Sequence, residues 1–234
     1  MSTIADRVEA LRRELGEQVR LVAVSKFHPV EKLREAYDAG QRIFGENRVQ
    51  EMVAKQPEMP DDVQWHLIGT LQRNKVKYIA PFVDTIESVD SAKLLREIER
   101  QAVIQERPAE RGPIRCLLQI HISGEESKHG LDETELHELL ESGLIDDCPH
   151  VEVVGLMAMA SLTDDMELVE RQFARMQEIL GEVRERYFAD QSSFRELSIG
   201  MSQDYKIALR HGATYVRIGT AIFGPREYLS LIHI

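Results

Sequence analysis

Eight short runs rich in valine, isoleucine and leucine, parted by segments of helical pattern, constrain this chain of 234 residues more than any other feature. The runs are "LVAVS" (21–25), "RIFG" (42–45), "WHLIG" (65–69), "FVDTIES" (82–88), "CLLQIHI" (116–122), "VEVVGLMAM" (151–159), "ELSIG" (196–200) and "TYVRIG" (214–219). A strand gains a parallel neighbour only through a crossover long enough to hold a helix, so strands alternating with helices imply a parallel sheet. The intervening segments supply those helices. In 164–187, Val169, Phe173, Met176, Leu180, Val183 and Tyr187 recur at steps of three and four, with charges on the other face. "HPVEKLREAYDAG" has Pro29 at a first-turn position and Gly40 as a stop, and "SVDSAKLLREIERQ" opens a third helix. At this length eight such units close most economically as an α/β fold of one domain, a single (β/α)8 TIM-type barrel expected over residues 1–228. The competing open doubly wound sheet is disfavoured because no GxGxxG turn follows the first strand.

A barrel gathers its functional groups where the strands end, at the C-terminal mouth. Those positions are Lys26, Glu46 with Asn47, His66, Glu87 with Ser88, His121, Met157, Gly200 with Met201 and Ser202, and Arg217 with Gly219 and Thr220. Composition narrows what they can serve. A net charge of -11 argues against non-specific nucleic-acid binding, which needs a positive field to displace counterions, but leaves room for a local basic pocket around a small anion. The N-terminal "MSTIADRVEALRREL" is charged and amphipathic, without the apolar core of a signal peptide, and "VVGLMAMA" is far too short for a membrane span. Cys116 and Cys148 stand apart without metal-ligand or disulfide spacing. The expectation is a cytoplasmic, monomeric protein.

Two motifs carry the strongest chemistry. In "SIGMSQDYKIALRHG" a strand ends at Gly200, Ser202 is placed as an N-cap, and a short helix stops at Gly212. In "VRIGTAIFG", Gly219 permits close backbone approach and Thr220 adds a hydroxyl. Each alone also fits plain capping and turn chemistry; together, after strands seven and eight, they favour a phosphate. Arg217 fits either a ligand contact or an ion pair with a carboxylate such as Glu196, and His66 and His121 fit satisfied core or rim positions as well as catalytic ones. "GEESKHGL" (124–131) is a polar loop over the mouth with a solvated Lys128. Strands one and eight are neighbours in a closed barrel, so Lys26 faces the phosphate motifs. A lysine there suits Schiff-base chemistry, because desolvation readily perturbs its ammonium.

The segments "AVSKFHPVEKLREAYDAGQRIFGENRVQE", "WHLIGTLQRNKVKYI", "SGEESKHGL", "GLMAM" and "LSIGMSQDYKIALRHGATYVRIGTAIFGPR" resemble, in order from about residue 6 to Arg226, the YggS/PROSC family of pyridoxal phosphate homeostasis proteins. That resemblance implies a fold-type III barrel, like the N-terminal domain of alanine racemase, without the second β-rich domain. It implies that Lys26 forms an aldimine with pyridoxal 5′-phosphate (PLP). Ser202, Gly219, Thr220 and the Met201 backbone would hold the phosphate, Arg217 would face the pyridine nitrogen, Asn47 would lie beside the ring, and Met157 would pack near it. His121 stands where the family leads one to expect asparagine, and the tail "LSLIHI" (229–234) departs from the pattern and receives no function. The implied role is PLP and amino-acid homeostasis, with apo-enzymes as transient PLP-accepting partners and no substantial catalysis. An amino-acid racemase and a cofactor-free Schiff-base aldolase are the alternatives. Racemisation needs a base on each face of the substrate, and in alanine racemase the second comes from the domain expected to be missing.

Overall fold

The computed structural model describes residues 2–122 and 130–225. Eight parallel strands close in sequence order into a barrel. They are β1 (Arg20–Val24), β2 (Ile43–Glu46), β3 (Gln64–Leu67), β4 (Thr85–Val89), β5 (Ile114–Gln119), β6 (Val151–Met157), β7 (Glu196–Met201) and β8 (Tyr215–Ile218). The helices are α1 (Ile4–Leu15), α2 (Val30–Asp38), α3 (Val49–Lys55), α4 (Val76–Ile79), α5 (Ala92–Ile104), α6 (Glu133–Glu141), α7 (Met166–Tyr187), α8 (Tyr205–Arg210) and α9 (Thr220–Phe223). The expected barrel and its strand count therefore hold. The polar loop at 124–131 lies outside the described residues up to position 129, as do Lys128 and the 229–234 tail.

Helix starts follow their capping chemistry. Thr3 opens α1 and Asp132 opens α6, each in a reciprocal capping box, while Ser91 and Asp165 accept the Leu94 and Leu168 amides at the starts of α5 and α7. In α7 Val169, Phe173, Met176 and Val183 of the expected face are buried, while Leu180 and Tyr187 pack against the core only partly buried and Ile179 takes a buried place beside them. Each such aliphatic or aromatic side chain removed from water contributes roughly 1.5–3 kcal/mol before entropy is subtracted. The fourth strand starts later than its apolar run because the Phe82 and Val83 amides still donate to the Ile79 carbonyl at the end of α4.

Strand alternation sorts the side chains into two compartments. Leu21, Ala23, Phe44, Trp65, Leu67, Leu197, Val216 and Ile218 face the helices and belong to the main apolar core. Inside the barrel, Val22, Ile43 and Tyr215 form one small apolar group and Leu117, Val154 and Met157 another. His66, Glu87, Ser198 and Arg217, all buried, come from the same interior positions.

Register shifts occur between β4 and β5, between β5 and β6, and between β7 and β8. In the second, Cys116 opposes Val153 while Leu117 opposes Gly155, so Val154 is an extra residue. Gly155 has φ 157°, and a Cβ there would lie 1.9 Å from the Glu196 carbonyl oxygen. Gly155→Ala is therefore expected to lose at least ~3 kcal/mol of unfolding free energy, from strain and overpacking together. Gly181 in α7 has nothing within 4 Å of its own hypothetical Cβ, so Gly181→Ala should be neutral or stabilising by up to about 1 kcal/mol. Urea unfolding of the two variants checks both signs.

Candidate functional site

At the C-terminal mouth a cavity of about 370 Å³ is lined by Lys26, Asn47, Met201, Ser202, Arg217, Gly219 and Thr220, together with Val24, Ile68, Asp204 and the 159–163 loop after β6. Seven of the eight residues singled out from the sequence thus meet around one space. Met157 does not reach it. Its side chain is buried inside the barrel against Leu117 and Val154, and Met159, two residues further on, takes the place at the wall. A larger space of about 690 Å³ lies beside the loop into β7, between Arg184, Phe188 and Arg195. It gathers none of the strand C-termini, so the mouth cavity is the better site on chemistry.

Local backbone geometry explains how these residues converge. β1 pairs with β8, with Val22 opposite Arg217, so the turn after β1 runs beside the segment after β8. Gly219 sits against β1 so closely that an added Cβ would lie 3.0 Å from the Val24 carbonyl oxygen. The irregularity between β7 and β8 spans Ser198 to Met201 and contains Gly200, at φ 91°, which turns Met201 and Ser202 into the mouth. Ser202 is not the cap of α8, however. Asp204 holds the N-cap position and its Oδ1 accepts the Met201 amide at 2.5 Å, which leaves the Ser202 hydroxyl at the cavity wall. Burial pushes the Asp204 carboxyl above its ordinary value, with the Met201 hydrogen bond and the Arg217 charge opposing the shift.

Arg217 is 4% exposed and is fixed from three sides. Its Nη1 donates to the Ser198 carbonyl at 2.8 Å and to Ser198 Oγ at 2.6 Å, and its Nη2 donates to the Ala158 carbonyl at 2.9 Å. Glu87 Oε2 lies 3.6 Å from Nη1 and accepts the Ser198 hydroxyl at 2.6 Å, while Glu87 Oε1 contacts His66 Nδ1 at 2.7 Å. The carboxylate balancing Arg217 is therefore Glu87. Glu196 is committed to Arg20 and Arg115 at the other end of the barrel. Burial alone would raise the Glu87 carboxyl, but the His66 hydrogen bond and the His66 and Arg217 charges outweigh it and hold it below its ordinary value. His66 is buried in this interior network rather than on the cavity wall. His121 lines a separate small space with Glu133, Arg171 and Gln172.

Asn47 Oδ1 is buried without a hydrogen-bond partner at the wall of the cavity. Buried polar atoms are ordinarily hydrogen-bonded, so this amide suits contact with a polar ligand group. Two contributors were missed by sequence reading: the 159–163 loop, and the buried set formed by Ser25, Glu46 and Lys55 directly behind Lys26. Glu46 was expected at the mouth, but it points to the helix side of β2, where it meets Lys55 of α3.

The model of the alanine racemase N-terminal domain family matches residues 1–227. A pyridoxal phosphate homeostasis protein of Schizosaccharomyces pombe is 39% identical over 243 residues, covering 100% of this chain and 98% of the relative. The chain belongs to the pyridoxal phosphate homeostasis protein family. Within that family, the structure of PipY from Synechococcus elongatus without PLP superimposes with a TM-score of 0.87 at 39% identity, covering 95% of this chain and 100% of PipY. The same protein with PLP bound gives a TM-score of 0.83 at 38% identity, with the same coverage. The family relatives are named for homeostasis rather than for a reaction. No helix among the described residues is long and apolar enough to cross a membrane.

Glu87→Gln is expected to lower stability at pH 7 by about 3–5 kcal/mol, because it leaves the Arg217 charge buried without its counterion. The folded-state value of Glu87 is depressed, so its contribution is fully present above the ordinary glutamate range and is lost as the pH falls through the lower folded-state value. The deficit of the variant should accordingly shrink in acid, where the wild-type carboxyl is protonated too. Urea titrations at neutral and acid pH test this; an equal deficit at both would separate Glu87 from Arg217.

Proposed function

We propose that this chain binds PLP in the mouth cavity, carries it covalently on Lys26 as an aldimine, and serves its homeostasis in the cytoplasm instead of turning over a substrate. The observation that carries this reading is the meeting of Lys26, Arg217, Ser202 and Thr220 around one cavity in a chain whose relative PipY binds PLP. Attachment is balanced without any further reagent. The Lys26 amine adds to the C4′ aldehyde, the C=N bond forms, and the carbonyl oxygen leaves as water.

Each wall of the cavity has a use in this reading. Ser202, Thr220 and the Met201 and Gly219 backbone supply hydrogen bonds for the phosphate, whose charge makes such bonds about twice as strong as neutral ones. Arg217 faces the pyridine nitrogen. Asn47, with its unpartnered amide oxygen, lies beside the ring. Met157 supports the site from within the barrel rather than touching the ring.

The same arrangement disfavours catalysis. PLP supplies an electron sink for carbanion chemistry, and it is strongest when the ring nitrogen is protonated. A guanidinium has no acceptor and does not give up its proton, so Arg217 holds that nitrogen unprotonated. Among the described wall residues the titratable side chains are Lys26, Asp204 and Arg217, and Asp204 is tied to the Met201 amide. A second proton-transfer group for racemisation is therefore lacking on the described wall. Release to transient apo-enzyme partners fits a mouth whose rim exposes Met159 and Leu162, and the working form is read as a monomer.

Borohydride treatment of the PLP-loaded protein, followed by peptide mapping, should place the reduced pyridoxyl group on Lys26; a label on Lys75 instead would move the site. Ser202→Ala and Thr220→Ala should each weaken PLP retention about ten- to a hundredfold, equivalent to a charge-assisted hydrogen bond of ~1.5–3 kcal/mol. Binding of unphosphorylated pyridoxal by the same variants should hardly change. Equal losses for both vitamers would make these hydroxyls structural.

A further inference from the structure

Lys26 hangs on a turn whose two flanking residues are held from behind by a buried ion pair. Strand alternation sends Ala23 to the helix side and Val24 to the interior, so Ser25 faces outward again and Lys26 inward to the cavity. Ser25 is fully buried on that outer side, and its hydroxyl donates to Glu46 Oε1 at 2.7 Å. Lys55, from the last turn of α3, donates to the same oxygen at 2.7 Å and to the Ser25 carbonyl at 2.9 Å. On the other flank, Phe27 has φ 66°, a conformation costly for a residue with a Cβ. Its amide donates to Glu51 Oε2 at 2.9 Å, and that carboxylate lies 3.6 Å from the Lys55 ammonium.

We propose that Lys55 is a positioning residue for Lys26: through Glu46 and Glu51 it locks Ser25 outward and Phe27 in its strained turn, so that the Lys26 amine is presented to the cavity in one orientation. This rests on the assignment of Lys26 as the attachment point. The chemistry of the group explains why a lysine serves here. Its ammonium has three donor hydrogens, and the structure gives it three oxygen neighbours on three separate segments: the turn after β1, β2 and α3 itself. Lys55 is 8% exposed and Glu46 is fully buried, so the pair holds its geometry without competition from water. Burial raises the Glu46 carboxyl, and Lys55 is the largest influence opposing that shift.

Removing Lys55 alone strands a buried carboxylate, so the informative variant is Glu46→Gln with Lys55→Met, which removes both charges at once. Apo-protein mixed with PLP and quenched with borohydride at set times gives the rate of attachment at Lys26. The double variant should attach roughly ten- to a hundredfold more slowly than wild type, the range expected when a reacting amine loses preorganisation. Lys55→Arg, which keeps the charge and donors, should recover part of that rate. In a Lys26→Ala background, equilibrium dialysis should find non-covalent PLP binding unchanged by the double substitution. A wild-type rate in a folded double variant would overturn the positioning role, and so would an equal loss of non-covalent binding, which would mark the pair as a general support of the cavity. Absence of any label on Lys26 in the wild type would instead overturn the attachment assignment itself, and this inference with it.

Discussion

A guanidinium buried between strands is the constraint around which this barrel is arranged. Taking Arg217 out of water costs several kcal/mol, and the cost is recovered only if its donors find acceptors and its charge finds a counterion. Two backbone carbonyls, the Ser198 hydroxyl and the Glu87 carboxylate meet those needs, and they come from the residue just after β6, from β7 and from β4. The four strands β4, β6, β7 and β8 must therefore hold their registers for one side chain to remain satisfied. His66 adds β3 to the same network. The polar network shares the barrel interior with the two small apolar groups, and Arg217 reaches from it to the wall of the mouth cavity.

Around that floor, departures from regular strand geometry do the placing. The irregularity at Gly200 re-aims Met201 and Ser202, and the close approach of Gly219 to Val24 brings the β8 end against the β1 end. Lysine and hydroxyls then line one and the same cavity. The outer side of the same strand ends is equally organised, with Glu46 and Lys55 pinning Ser25 between β1 and α3. One residue of alternation divides the two sides: Ser25 belongs to the scaffold and Lys26 to the site.

Much of this was legible in the sequence, for definite reasons. Parallel strands buried on both faces write themselves as apolar runs, and a closed barrel assigns every strand end to one mouth, so Lys26, Asn47, Ser202, Arg217, Gly219 and Thr220 could be grouped before any coordinates. The same rule misplaced Met157, because the chain continues two residues past β6 before it reaches the wall at Met159. Ser202 was read as a cap because serine and aspartate compete for that position, and Asp204 takes it once β7 runs on to Met201. Glu46 and Lys55 stayed invisible as a pair. A lysine four residues after Glu51 on a short amphipathic helix has the pattern of a solvated surface pair, and only the packing of α3 against the β2 end buries it. The Glu87 partnership with Arg217 joins residues 130 positions apart by subtraction of their numbers, beyond the reach of any local pattern.

The central claim is that this site holds PLP without driving an amino acid onward. It is tested most directly by deuterium incorporation at Cα, with each common amino acid incubated in heavy water with PLP-loaded protein and with Lys26→Ala as the blank. Enzymes typically turn over at about 1 to 1000 per second. The account predicts Lys26-dependent exchange far below that range for every amino acid; exchange approaching about one turnover per second for any of them would contradict it and establish an enzyme of the racemase type.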